Sequence, residues 1–183
     1  MRRLSRAAGI LAAAFCIAAG PVSAADPENT LYLELDWGRV VIEMRPELAP
    51  RHVARVRQLA RQKFYDGLAF HRVIRGFMAQ TGDPRGDGTG GSGVKLRAEF
   101  TDARHDRGTV SMARAQSPDS ADSQFFIVLD DAPHLNGQYT VWGKVVEGME
   151  HVDRIKKGLT RENGVVRDPD RIKTMRIAAD MEE

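Results

Sequence analysis

The chain has 183 residues, 42% hydrophobic and 28% charged, with 27 Lys+Arg against 25 Asp+Glu. That balance excludes a disordered or fibrous chain and a strongly basic nucleic-acid binder, and the length suits one ordinary globular domain. One cysteine, Cys16, cannot support a disulfide framework or a thiolate metal site.

The N-terminus carries Arg2, Arg3 and Arg6, then an apolar run over residues 7–19, then Pro21-Val22-Ser23-Ala24. A basic start, a short apolar run and small residues at the break predict a secretory signal peptide cut after Ala24. The run is shorter than the roughly 20 residues that span a bilayer; a retained anchor is the alternative. Phe15 before Cys16 is too bulky for a lipidation signal. The expected organisation is therefore a leader at 1–24, a flexible linker at 25–29 and a domain at 30–180. Losing Arg2, Arg3 and Arg6 takes Lys+Arg from 27 to 24 against 25 acids, a formal net of −1. Such a charge predicts no nucleic-acid partner and no stable membrane association after cleavage. Export is expected, to the periplasm if the source is Gram-negative, and a cysteine-free mature domain suits an oxidising compartment.

Residues 30–35 alternate apolar and polar, residues 38–44 are rich in β-branched side chains, and Asp36-Trp37-Gly38 reads as their hairpin connection. Pro50 opens a helix whose apolar stripe is Val53, Val56, Leu59 and Ala60. Residues 69–83 read as two short strands broken at Arg75-Gly76, with Phe70, Arg72 and Ile74 on one face and His71 and Val73 on the other. Gly88 to Gly93 satisfies G-x-G-x-x-G, but residues 94–100 look extended rather than helical. A loop with positive φ or close backbone approach beside a groove fits better than a dinucleotide site. Strands follow at 108–113, 124–129 and 140–146, with polar loops at 114–123 and 130–139. A short helix at 149–156, a polar loop at 160–171 and a last strand at 172–178 complete the chain. About eight short strands and two helices suggest a barrel or a sandwich, which pattern alone leaves unresolved.

A lone arginine among Phe, Ile, Val and Met is costly to bury unless its donors are used. Arg72 is either an edge-strand residue with its head in water or a functional group. Around it stand Phe70-His71-Arg72-Val73-Ile74, Gly76-Phe77-Met78-Ala79-Gln80, Thr81-Gly82-Asp83 and Gly88-Thr89-Gly90-Gly91. Farther on come Ser111-Met112-Ala113, Ser123-Gln124-Phe125-Phe126-Ile127 and Val141-Trp142-Gly143-Lys144-Val145. In order and spacing these segments resemble the cyclophilins, peptidyl-prolyl cis-trans isomerases, from about Leu31 to about Ala178.

The resemblance implies a mainly β fold, a closed eight-stranded antiparallel β-barrel capped by two α-helices. It implies Arg72 as the catalytic residue and Gln80 as the amide that orients it. Phe77, Met78, Phe125 and Leu135 would form the apolar pocket for the proline ring. Ala113 would leave space in the groove, Arg114 would contact peptide through its backbone, and Tyr139 would close the pocket. The implied partners are proline-containing unfolded or partly folded polypeptides, and the chemistry asks for no cofactor or metal; a monomer is the default expectation. His134, where many eukaryotic members carry Trp, implies weak cyclosporin binding. A holdase that uses the same groove without turnover is the alternative function. Other chemistries find no support: Val94 breaks a G-x-S-x-G nucleophile pattern, and His52, His71, His105, His134 and His151 show no ligand spacing. His71 is expected to be a structural hydrogen-bonder rather than a ligand or base, and Asp83, Asp87, Asp102 and Asp106 to face solvent or cap turns.

Overall fold

A computed structural model describes residues 26–181. The leader expected at 1–24, with Cys16, lies outside the described residues. Eight strands form one antiparallel sheet: β1 (Thr30–Leu35), β2 (Gly38–Met44), β3 (Arg72–Ile74), β4 (Met78–Thr81), β5 (Thr109–Met112), β6 (Phe125–Val128), β7 (Val141–Glu147) and β8 (Thr174–Ile177). Their order is β3-β4-β6-β5-β7-β2-β1-β8. Two bulges, between Val41 and Ile42 and between Val110 and Ser111, fall where β2 and β5 meet β7. Bulges increase local twist, so the sheet curls instead of lying flat. Residues 94–100, which look extended in the sequence, form no helix and join no strand, with one bridge from Leu96 to Ala121.

The expected closed barrel needs one correction. β3 and β8 end the ladder and do not pair with each other. Residues 164–172 fill the gap: Val73 N–H donates to Gly164 O at 2.8 Å, Phe70 N–H to Asp170 O at 2.9 Å and Gly67 N–H to Ile172 O at 2.7 Å. The short strand β3 thus trades a ladder partner for a loop, and that loop becomes part of the functional face. Pro27–Asn29 is a single 3-10 turn capped by Asp26. Arg57 and Arg61 hold it by bonds to Glu28 and Asn29.

Two apolar clusters lie on opposite sides of the sheet. The inner one holds Leu31, Leu33, Ile42, Phe70, Phe125, Ile127, Trp142 and Met175. The outer one holds Met78, Phe126, Val128, Ala132 and Leu135, with Ile74, Phe77, Ala113 and Tyr139 against it. Along β6 the side chains alternate between them, as strand geometry requires. Because both faces are covered, all four β6 residues are buried. Phe70, expected on the face of Arg72, packs inside, because the chain enters β3 only at Arg72.

Helix α1 (Pro50–Arg61) buries the expected Val53, Val56, Leu59 and Ala60, and also His52. Its N-cap residue, Ala49, offers no side-chain acceptor. Glu99 substitutes from a distant loop, accepting the N–H groups of Arg51 at 3.2 Å and His52 at 3.0 Å and the His52 Nδ1 at 2.6 Å. Such a cap satisfies orphan donors and places negative charge at the positive end of the helix dipole. The second helix, α2 (Met149–Arg154), buries Val152.

Burial lowers the pKa of His52, and the bond to Glu99 only partly opposes this. Burial likewise lowers those of His71 and His105; His71, expected to bond through its ring, instead packs with both ring nitrogens buried and without a partner among the described residues. Each starts from 6.5 and ends lower, so below that pH the unfolded chain binds protons that the native chain refuses. Stability is then fully present above pH 6.5 and is lost as pH falls toward the folded values. Each histidine contributes a slope of up to about 1.4 kcal/mol per pH unit. We expect the thermal midpoint to drop between about pH 7.5 and about pH 5.5. A flat midpoint across that range would mean these rings are not held neutral.

Candidate active site

β3, β4, β6 and β5 lie side by side, and their register aligns four side chains across the outer face: Arg72 opposite Gln80, Gln80 opposite Phe126, and Phe126 opposite Ser111. Arg72 and Phe126 line a cavity of about 140 Å³. Its apolar wall is completed by Phe77, Met78, Leu135 and Tyr139, with Gln80, Ala113 and Arg114 at the polar side. Eight of the nine expected site residues are therefore in one place.

Phe125 is the exception. Its register partners are Thr81 and Met112, and its ring lies in the inner cluster, 5.6 Å from Tyr65 and 5.4 Å from Trp142, both edge-to-face. Phe126 takes the assigned position, with its ring 5.6 Å from that of Tyr139. The reason is the pleat: adjacent strand residues point to opposite faces.

The Arg72 guanidinium is held on two sides. Nη1 donates to Gln80 Oε1 at 3.1 Å, with Met78 Sδ 3.9 Å away. Nε donates to the carbonyl of Asn163 at 3.0 Å, and Nη2 to Asn163 Oδ1 at 2.9 Å. All of these partners are neutral, so the positive charge is aimed without being cancelled. Of five N–H donors, one on Nη2 has no partner among the described residues. Burial lowers its pKa while Tyr139 opposes, yet a guanidinium starts so far above neutrality that it stays charged.

The relay continues beyond Gln80. Gln80 Nε2 donates to Gln124 Oε1 at 2.9 Å, and Gln124 Nε2 donates to Gly88 O at 3.0 Å and Gly90 O at 2.8 Å. The glycine-rich loop therefore does lie beside the groove. Asp83, buried, pins it by accepting the N–H groups of Arg85, Asp87 and Gly88. A Cβ at Gly90 would overlap Asp83 Oδ1, so close approach explains that glycine. The loop walls a neighbouring cavity of about 270 Å³ that shares Gln80, Ala113 and Arg114.

Arg114 uses its side chain locally. It donates to the carbonyls of Gln138, Ala115 and Gln116, and its guanidinium lies 4.7 Å from the Tyr139 ring centre. This bridge holds the Tyr139 ring in the cavity wall and occupies the Arg114 side chain. His134 packs its ring 5.4 Å from that of Phe77. Beneath Phe126, buried His105 bonds Ser111 Oγ at 2.9 Å and Asn136 Oδ1 at 3.1 Å, which anchors the loop carrying Leu135.

Three contributors escape a reading of the sequence: Asn163, Gln124 and Phe126. Asn163 has φ of 53°, a left-handed conformation that asparagine tolerates, and Asn163-Gly164 is a turn dipeptide. That signal announces a turn but not its contact with a residue 91 positions away.

Residues 30–177 match the family described as cyclophilin type peptidyl-prolyl cis-trans isomerase/CLD. A probable peptidyl-prolyl cis-trans isomerase of Brucella suis is 57% identical over 170 residues, covering 86% of this chain and 87% of the relative. Peptidyl-prolyl cis-trans isomerase B of Bacillus subtilis is 46% identical over 129 residues, covering 69% and 90%. Among solved structures, the cyclophilin AquaCyp293 of Hirschia baltica superposes with a TM-score of 0.75 at 28% identity, covering 85% of this chain and 76% of that one. A Cryptosporidium parvum cyclophilin type isomerase, solved in the presence of the dipeptide Ala-Pro, gives 0.74 at 30% identity, covering 81% and 98%.

Proposed function

The chain belongs to the cyclophilin-type peptidyl-prolyl cis-trans isomerases, and from that premise we propose that Arg72 carries the reaction, on exported polypeptides. The rotating X-Pro bond has a barrier of about 18–20 kcal/mol because resonance holds it planar. At the twisted transition state that resonance is gone and the prolyl nitrogen regains a lone pair. A cationic donor directed at this nitrogen stabilises the twisted state more than either planar one, which lowers the barrier. No bond is made to the protein and no proton need be transferred.

The single observation supporting this reading is an uncancelled guanidinium in the wall of an apolar cavity. Phe77, Met78, Phe126, Leu135 and Tyr139 would take the proline ring. The catalytic group would be Arg72, with Gln80 and Asn163 as its positioning residues. A pure holdase would need the cavity but not the oriented cation. The test is isomerisation of an Ala-Pro test peptide by residues 25–183, followed directly by NMR exchange. Binding without acceleration would favour the holdase.

Asn163→Ala removes the side-chain acceptor and keeps the backbone one. We expect kcat to fall about tenfold, the equivalent of one charged hydrogen bond, with KM little changed. A matched rise in KM would assign Asn163 to binding instead. With His134 where many eukaryotic members have Trp, cyclosporin should inhibit weakly. Export rests on the leader sequence, and secretion of a leader-bearing fusion would test it.

A further inference from the structure

On the far side of Asn163 lies a groove of about 330 Å³ that the isomerase reading does not use. It is lined by Lys156, Lys157, Arg161 and Arg167, with Glu162 as the one acid in the lining, and by Leu159 and Val165. Leu159 and Val165 are each about half exposed, at 50% and 53%. Asp168 bonds Lys156. Arg161 and Arg167 share Glu162 at 4.0 and 3.6 Å, and their side chains are 79% and 86% exposed. Among the described residues, Lys157 Nζ donates to a carbonyl, that of Asp153. Asp153, Asp170 and Arg75 also lie close enough to act on Lys157. Asp170 accepts the Lys156 N–H, and Asp153 is already paired with Arg107. Lys156, Lys157, Arg161, Arg167 and Arg75 against Glu162, Asp168 and Asp170 leave a modest local excess of positive charge. The rest of the domain has none to spare, since residues 25–183 carry 24 Lys+Arg and 25 Asp+Glu.

The segment that forms this groove is strung onto β3. Gly158 N–H donates to Val73 O at 3.0 Å, Val73 N–H donates to Gly164 O at 2.8 Å, and Val165 bridges to Arg72. Arg72 stands in the wall of the proline cavity, and its bonded partner Asn163 stands in the turn that carries the groove. The cavity and the groove thus stand on either side of the Arg72–Asn163 contact.

We propose that this groove is a docking site for an acidic, aliphatic-containing segment of the same client polypeptide, a second handhold beside the proline cavity. Charge complementarity selects carboxylates, and Leu159 and Val165 supply apolar contact that a small inorganic anion would leave unused. A nucleic acid would need a basic field that the near-neutral domain lacks. The proposal rests on the isomerase reading for its client. It acts on capture: docking raises the local concentration of the X-Pro bond and leaves the rotation step alone.

The test compares Ala-Pro peptides extended on either side by about four to eight residues, rich in Glu and Leu or in Gln and Leu. At low salt the Glu peptide should show a kcat/KM about fivefold higher, through KM, as expected of two or three exposed ion pairs. About 0.5 M salt should erase the advantage, since screening then acts within a few ångströms. Arg161→Gln with Arg167→Gln should also erase it while leaving the unextended peptide unaffected; both side chains are exposed, and circular dichroism verifies the fold. Equal kcat/KM for the Glu and Gln peptides overturns the proposal. In a second arm, a fluorescent Glu-Leu peptide without proline is titrated by anisotropy against the whole domain, alongside phosphatidylserine vesicles and duplex DNA. No peptide binding, or tighter binding to vesicles or DNA, also overturns it. Failure to turn over the unextended peptide would overturn the isomerase reading alone, and the anisotropy arm would still decide the groove.

Discussion

Replacing Arg72 with alanine should reduce kcat by about 10²–10³-fold, the loss seen when one preorganised donor is removed from developing charge. The fold should survive, because β3 is pinned by Val73, buried in the inner cluster, and by backbone bonds to Gly158 and Gly164. Arg72 is only half-buried on the outer face, so water can reach the amides of Gln80 and Asn163 that it leaves behind. KM should change little, since the apolar wall remains. Arg72→Lys should recover part of the rate at best: an ammonium keeps the charge but cannot bond Gln80 and Asn163 with one planar fork. The wild-type rate should also be flat from about pH 6 to about pH 9, because a guanidinium does not titrate there. A kcat that survives Arg72→Ala, or a titration near neutrality, would transfer the role to another group.

The sequence displays the architecture well because elements announce themselves locally. Alternation marks β1, Pro50 with a 3.6-residue stripe marks α1, and Arg75-Gly76 marks the turn between β3 and β4. The closure is misread, since nothing local says that residues 164–172 will stand between β3 and β8. The site is legible where motifs carry it and fails where geometry must be known. Gln124 lies within a quoted motif, yet its bonds to Gly88 and Gly90 depend on a loop that only the folded sheet places beside it. Asn163 is farther out of reach, because its link to Arg72 spans 91 positions and needs a left-handed backbone. Glu99 capping α1 is the same kind of long-range substitution. Local patterns predict elements; contacts between distant loops come from packing.

Phe125 and Phe126 show the limit most sharply and offer the second large effect. Strand β6 is apolar on both faces, so Phe-Phe-Ile-Val carries no polar residue to reveal which ring faces in. The phase must come from the neighbours: Gln80 opposes Phe126, and Thr81, fully buried, opposes Phe125. Phe125→Ala should therefore act on stability. It empties a site between Tyr65 and Trp142 in the inner cluster, at a cost of about 3–5 kcal/mol for a buried phenylalanine, a large share of the margin of a domain this size. The fraction that stays folded should retain near-normal KM. Phe126→Ala should instead raise KM about tenfold, through loss of roughly 1–2 kcal/mol of contact with the proline ring. Urea unfolding and saturation kinetics on the two variants separate the roles. If Phe125→Ala raised KM while Phe126→Ala cost only stability, the phase of β6 would be reversed, and Gln80 could not share a face with the wall of the proline cavity.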